Sequence, residues 1–312
     1  MTKTRFLLGV IALTVMASSI FYACKKDNSS SALENNVALK KELIALNNEI
    51  YSQIDKISVI ENTQKLSWRD VGHAVGKFCA IAGSDICGAG AGAVAGAKLA
   101  AVAGLATGGT GAIVVEAGSM AICAAGASYA TGKSVCSSLP PNSNPNVDGW
   151  DYLNSGNLHN QLLKELYERF DDTEFDNSVL IKLAMPKFNI SAEQASIFYS
   201  EEWNDVMEQV KEISREYAHN DDNSIQLLNR YHERGLIEEN IYEVLHSFLE
   251  IYSNITEMEQ IHIIVSSYAQ FVRTSTWLSS TERTILLSTL AVASKSPFFW
   301  IQFEDETNPA DY

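Results

Sequence analysis

The strongest constraint on this chain is a four-residue period of small side chains. Ser84, Gly88, Gly92, Gly96, Ala100, Gly104 and Gly108 recur at that spacing, which on an α-helix forms a slowly rotating ridge without bulk. Each glycine inside a helix costs about 1 kcal/mol relative to alanine. A run of them needs a compensating gain, and close approach of a second helix backbone supplies one. Gly108-Gly109-Thr110-Gly111 breaks the period, and a second apolar stretch runs over 112–130 with Gly118 and Gly126 inside it. Two small-residue helices joined by a glycine turn predict an antiparallel hairpin, assigned to residues 68–138.

Each arm is long enough to cross a bilayer, which takes about 20 residues. Alanine and glycine offer little apolar surface, however, and Lys98 lies in the first arm and Glu116 in the second. A charge at bilayer centre costs about 2.5–3.5 kcal/mol. The expectation is a hairpin packed inside the protein at rest, with Lys98 and Glu116, on either side of the turn, as a candidate ion pair.

Cys79, Cys87, Cys123 and Cys136 all fall in or beside this segment. Their spacings, with no Cys-x-x-Cys pair and only His73 nearby, fit zinc poorly. Facing positions in an antiparallel hairpin that turns near Gly104–Gly111 pair Cys79 with Cys136 and Cys87 with Cys123, so these four are disulfide candidates. A local Cys79–Cys87 bond would have to bridge about 12 Å of helical rise, beyond the roughly 4.4–6.8 Å between α-carbons that a disulfide permits.

The N-terminus gives an address. Met1-Thr2-Lys3-Thr4-Arg5 is basic, residues 6–22 are apolar, and Ala23-Cys24 sets a small residue before a cysteine. That is the layout of a signal peptide over 1–23, cut by lipoprotein signal peptidase to leave Cys24 as the lipid-bearing first residue. The chain expected here is exported and oxidising conditions apply, as the disulfide reading requires. Lys25-Lys26-Asp27-Asn28 and Ser29-Ser30-Ser31 resemble the start of mature Bacteroidota lipoproteins, in which charge behind the cysteine favours surface export. That resemblance implies a lipid anchor in the cell envelope, at the outer membrane, facing either the periplasm or the surface.

Composition divides the remainder. Residues 24–67 form a polar tether and an amphipathic helix, with Leu39, Leu43, Leu46, Ile50, Ile57 and Ile60 at three- and four-residue steps. Pro140-Pro141-Asn142-Ser143-Asn144-Pro145-Asn146 marks a linker over 139–147. The last part, 148–312, holds 29 acidic against 11 basic residues, which argues against nucleic acid and for a solvated surface.

Within that acidic part the chain reads as helices with recognisable ends. These run over 158–170, from Ser191/Gln194 to Tyr217, over 225–234 up to Gly235, over 238–252, from Thr256/Glu259 to Thr274, and onward from Ser279/Glu282. No stretch alternates as a strand would. The fold class expected is all-α: tether helix, Gly/Ala-rich hairpin and a C-terminal multi-helix domain, with aromatics such as Phe198, Trp203, Tyr231, Phe248 and Tyr268 in its core.

Two further resemblances follow from these residues. Asp85-Ile86-Cys87-Gly88-Ala89-Gly90-Ala91-Gly92-Ala93-Val94-Ala95-Gly96 is similar to the glycine-rich segments of helical bacteriocins, which implies membrane insertion or a membrane partner and no catalytic residue. The hairpin followed by an acidic helical domain opening with Gly156-Asn157-Leu158-His159-Asn160 resembles a set of Bacteroidota lipoproteins of unknown role.

No catalytic constellation is expected. His159, His219, His232, His246 and His262 stand singly, and no His-Glu-x-x-His, Gly-x-Ser-x-Gly or phosphate-binding glycine loop occurs. His159-Asn160 is the one polar pair of interest, and a helix-start contact with the linker is its favoured role. The sequence points to no metal, no cofactor and no identifiable small-molecule substrate. It points to a non-catalytic, membrane-anchored envelope lipoprotein that partners another envelope protein or organises the surface, with a bacteriocin-like membrane-active protein as the alternative.

Overall fold

The computed structural model describes residues 35–56, 72–103, 110–135, 146, 150–170, 175–219, 223–255 and 258–301; for 72–80, 110, 133–135, 219, 258–259 and 301 it describes the backbone alone. All regular structure among these residues is helical, so the fold is all-α. The chain divides into two compact units, 1–45 and 46–312.

The first helix, α1 (35–56), carries the expected stripe: Leu39, Leu43 and Ile50 are buried, while Ile57 and Ile60 lie outside the described residues. Val37, Ile44 and Tyr51 are exposed on another face of it.

At the centre of the second unit stand α2 (Gly72–Val102) and α3 (Thr110–Val135). Their register is that of an antiparallel hairpin, since each step of four along α2 meets a step of four back along α3. Gly88 faces Ala127, Gly92 faces Cys123 and Gly96 faces Ser119. The approach is close enough to exclude any side chain: a Cβ on Gly92 would stand 2.5 Å from the Cys123 Cβ and the Ser119 carbonyl oxygen, and one on Gly88 2.7 Å from the Ala127 Cβ. Gly104 and Gly108, the last members of the predicted ridge, lie outside the described residues.

Around this hairpin pack α4 (Ser155–Arg169), α5 (Asn177–Lys187), α7 (Glu201–His219), α8 (Ser224–Glu233), α9 (Glu239–Tyr252) and α11 (Ser280–Ile301), with the single turn α6 (Ala192–Ala195) between α5 and α7 and with α10 (Met258–Thr274) laid on α9 and α11. Of these, α7, α8, α9 and α10 are amphipathic, while α11 is buried along most of its length and meets the hairpin partly through polar side chains. Most of each apolar stretch, Ile81–Val102 and Gly111–Gly132, is buried within this sheath.

The remaining glycines of α2 and α3 receive sheath side chains. Gly90 lies under Leu245 and Ile237, Gly118 under Ile190 and Phe198, Gly126 under Met207 and Leu180, and Gly132 against Tyr167 and Trp300. The sheath core is aromatic: Phe198 meets Trp203 edge to face at 5.1 Å, and Phe248 meets Tyr268 in the same way at 5.1 Å. Tyr268 on α10 also bonds Asn47 at 2.6 Å and Ser247 of α9 at 3.0 Å through its hydroxyl.

Helix ends follow their caps. Ser191 and Gln194 form the expected capping box, as do Ser279 and Glu282. The helix predicted from Ser191 to Tyr217 is nevertheless broken: α6 gives way to a 3-10 turn, Ser196–Tyr199, and extended Ser200 intervenes before α7. Ser200 then caps α7, its hydroxyl accepting from the Trp203 amide at 3.2 Å. Gly235, with φ of 72°, ends α8 where the sequence placed the stop.

Candidate functional site

Among the described residues, a cluster of buried polar side chains is seated on two adjacent residues of α2, Ser84 and Asp85, both fully buried. Successive residues on a helix point about 100° apart, so this pair reaches two different parts of the sheath.

Ser84 belongs to a chain of hydroxyls. Thr131 on α3 donates to the Ser84 Oγ at 2.8 Å, Ser84 donates to Ser214 on α7 at 3.4 Å, and Ser214 bonds the Tyr231 hydroxyl of α8 at 3.0 Å. Tyr231 donates on to the Val210 carbonyl at 3.3 Å. Burial holds the Tyr231 phenol well above its ordinary pKa, so it stays a neutral donor, with the Ser214 hydrogen bond opposing that shift.

Asp85 faces α4 and α11. Its Oδ2 accepts from the Ser296 hydroxyl and from Trp300 Nε1 at 3.4 Å, and its Oδ1 lies 3.7 Å from His159 Nε2. His159 Nδ1 meets Asn160 Oδ1 at 2.9 Å, and Asn160 Nδ2 donates to the Lys295 carbonyl at 3.4 Å. With its amide nitrogen so engaged, Asn160 presents an acceptor, which places the proton on His159 Nδ1. His159 Nε2 then faces a carboxylate oxygen, and neither atom has a hydrogen-bond partner. The contact is attractive only when a proton lies on one of the two.

The element Gly156-x-x-His159-Asn160 is thereby explained as a packing device. These positions share one face of α4, and a Cβ on Gly156 would fall on the Ala291 carbonyl and the Lys295 side chain of α11. The favoured expectation of a contact with the linker is corrected: His159 and Asn160 reach α2 and α11, because that face of α4 points inward. The cap comes instead from Asp151, whose two carboxylate oxygens accept from the Gly156 and Asn157 amides at 3.0 and 3.1 Å. Burial raises the Asp151 pKa, while these amides and the Lys295 ammonium act against the rise.

Chemically, this cluster is a set of fasteners. Asp85, His159, Asn160, Lys295, Ser296 and Trp300 are all fully buried, and Ser296 donates to the carboxylate rather than to the imidazole, so the order of a hydroxyl–imidazole–carboxylate relay is not present.

Two site expectations change. Cys87 and Cys123 are both free and fully buried. Cys123 lies on the seam over Gly92, with its sulfur 3.2 Å from the Met207 thioether. Cys87 precedes the seam residue Gly88 and so turns toward the Ser224 carbonyl, 4.0 Å away at the start of α8. The two cysteines lie about five residues apart in the observed register, too far for a bond. Burial pushes both thiols up, which makes them inert. The Cys79 to Cys136 pairing lies outside the described residues, as does Cys24.

Lys98 pairs with Glu238 at 3.3 Å, not with Glu116. Lys98 follows Gly96 by two residues, about 200° round the helix, so it points away from α3. Glu116 remains under Gly96, 5% exposed, and desolvation raises its pKa to about 7.

Comparison with protein-family models, curated proteins and solved structures finds no match.

Proposed function

We propose that this chain is a non-catalytic, membrane-anchored cell-envelope lipoprotein, held by lipid on Cys24, whose helical body serves interaction with another envelope protein or organisation of the surface. The observation that supports this reading is the use to which the buried chemistry is put. Ser84, Asp85, His159, Asn160 and Ser296 bond one another and the backbone across α2, α4, α7 and α11, without exposure through which a substrate would reach them. Such a body is rigid and sheds water from its core, as suits a presenting module. Labelling of cells with a palmitate analogue tests the anchor: the parent incorporates label and fractionates with membranes, whereas Cys24→Ala does neither. Persistent label in the variant would sink the assignment.

A second reading is favoured by one specific observation. The two arms of the hairpin are each 22 residues of apolar helix, and Glu116, with its pKa about 7, sheds its charge under mild acid. A bacteriocin-like activity would insert that hairpin into a target bilayer. Purified Cys24→Ala protein mixed with dye-loaded anionic liposomes separates the two: the envelope reading expects no leakage, and prompt leakage abolished by Gly92→Leu with Gly96→Leu favours membrane activity.

A further inference from the structure

Beside the N-terminus of α5 lies a cleft of about 370 Å³, lined by Phe175, Asp176, Glu208, Lys211 and Arg215. Its volume falls at the small end of the range for ligand sites, roughly 300–1,000 Å³. The charges in it are unequally satisfied. Lys211, 4% exposed, sits 5.1 Å over the Phe175 ring and 2.6 Å from the Glu208 carboxylate. Glu208 also accepts from Asn177 at 3.1 Å. Asp176 is occupied in capping α5 through the Ser178 amide at 2.8 Å.

Arg215 is the exception. Its guanidinium has no hydrogen-bond or ion-pair partner among the described residues, and its Nε is buried without one. Of the other described arginines, Arg169, Arg230 and Arg234 each reach a glutamate, Arg273 lies over the Trp150 ring and Arg283 donates to the Ser275 carbonyl. In a chain of net charge −15, rich in carboxylates, an arginine left without one beside a cleft is conspicuous.

We propose that this cleft binds a small carboxylate ligand, its head group docked on the Nη donors of the Arg215 guanidinium. That mode supplies charge-assisted hydrogen bonds to a cation that has no carboxylate of its own. The Lys211 ammonium, held in place by Glu208 and the Phe175 ring, adds positive potential behind it. Asp176 and Glu208 set the upper limit on ligand charge, because a polyanion would meet both at close range. The inference stands apart from the envelope reading and needs neither the lipid nor the hairpin.

The test is a titration of full-length Cys24→Ala protein, labelled with nitrogen-15 at arginine, followed at the Arg215 Nε–H resonance. The probes are sodium acetate, N-acetylglycine and inorganic phosphate, with sodium chloride at matched ionic strength as the control. The expected result is a saturable shift of that resonance with a carboxylate. A response to acetate and N-acetylglycine alike points to a free small acid, and a response to N-acetylglycine alone points to a peptide C-terminus. Arg215→Gln, which keeps the circular dichroism and melting temperature of the parent, abolishes the stabilisation that carboxylate gives in a thermal shift. Stronger response to phosphate than to either carboxylate, a shift reproduced by chloride, or stabilisation that survives in Arg215→Gln would overturn the proposal.

Discussion

Two interfaces of the hairpin, the seam between α2 and α3 and the surface that both present to the sheath, are lined with glycine but use it differently. Across the seam, the absent Cβ of Gly88 or Gly92 would collide with backbone and Cβ atoms of the opposite helix, which have nowhere to go. Toward the sheath, the space over Gly90 and Gly126 is taken by the ends of Leu245 and Met207, flexible groups able to shift. One interface is fixed by main chain against main chain, and the other is filled by adjustable side chains. Glycine content alone therefore does not say which positions are rigid.

Substitutions break this contrast or sharpen it. Gly92→Leu has the largest expected effect, above the roughly 1–3 kcal/mol usual for overpacking, because backbone has to move; chemical denaturation should show loss of cooperative unfolding. Asp85→Ala, which leaves the buried Ser296 hydroxyl and Trp300 Nε1–H without their common acceptor, is expected to cost up to about 3 kcal/mol in the same measurement. A loss under about 1 kcal/mol would mean that the polar fastening contributes little beside packing.

Glu116→Gln tests the seam through pH. Burial raises its folded-state pKa from 4.5 to about 7, so the folded protein keeps a proton that the unfolded chain has lost. The resulting stabilisation is fully present below about pH 4.5 and disappears as pH rises through 7, with an amplitude of up to about 3 kcal/mol. The glutamine variant should lose that slope and exceed the parent in stability at pH 8. The smallest effect belongs to Gly90→Ala: helix propensity gains about 1 kcal/mol and displacing Leu245 offsets most of it, leaving a change within about 0.5 kcal/mol. A large loss there would erase the distinction between seam and sheath.

The seam face of the first arm was legible because a four-residue period of small residues admits one face, but the register was not, since pairing Cys87 with Cys123 assumed an offset about five residues from the observed one. The capping boxes at Ser191 and Ser279 were legible for a similar reason, since the bonding pattern is local. The break at Ser200 was not, because the apolar spacing continues through it. Helix α5 escaped notice, its face obscured by Lys182, Pro186 and Lys187 although Asp176 caps its start. Asp85 was visible as one acid in a Gly/Ala run, yet its partners lie more than 200 residues away, and no local pattern connects them. The Cys87–Cys123 pairing failed on both coordinates: the observed register sets Cys123 over Gly92, and Cys87, one residue before the seam position Gly88, is rotated away from α3.

The separation between Asp85 and its partners also orders events during synthesis. Ser296 and Trp300 follow Asp85 by 211 and 215 residues, so the hairpin emerges long before α11, the last helix to reach it. Throughout that interval the earlier helices cover only part of the hairpin, and the side of α2 that carries Asp85 awaits α11. Contacts this distant in sequence slow folding, and apolar surface left open meanwhile invites association with whatever is near. A chain ending before α11 would leave the Asp85 side of α2 open, which makes the final helix the step that closes the hairpin's cover.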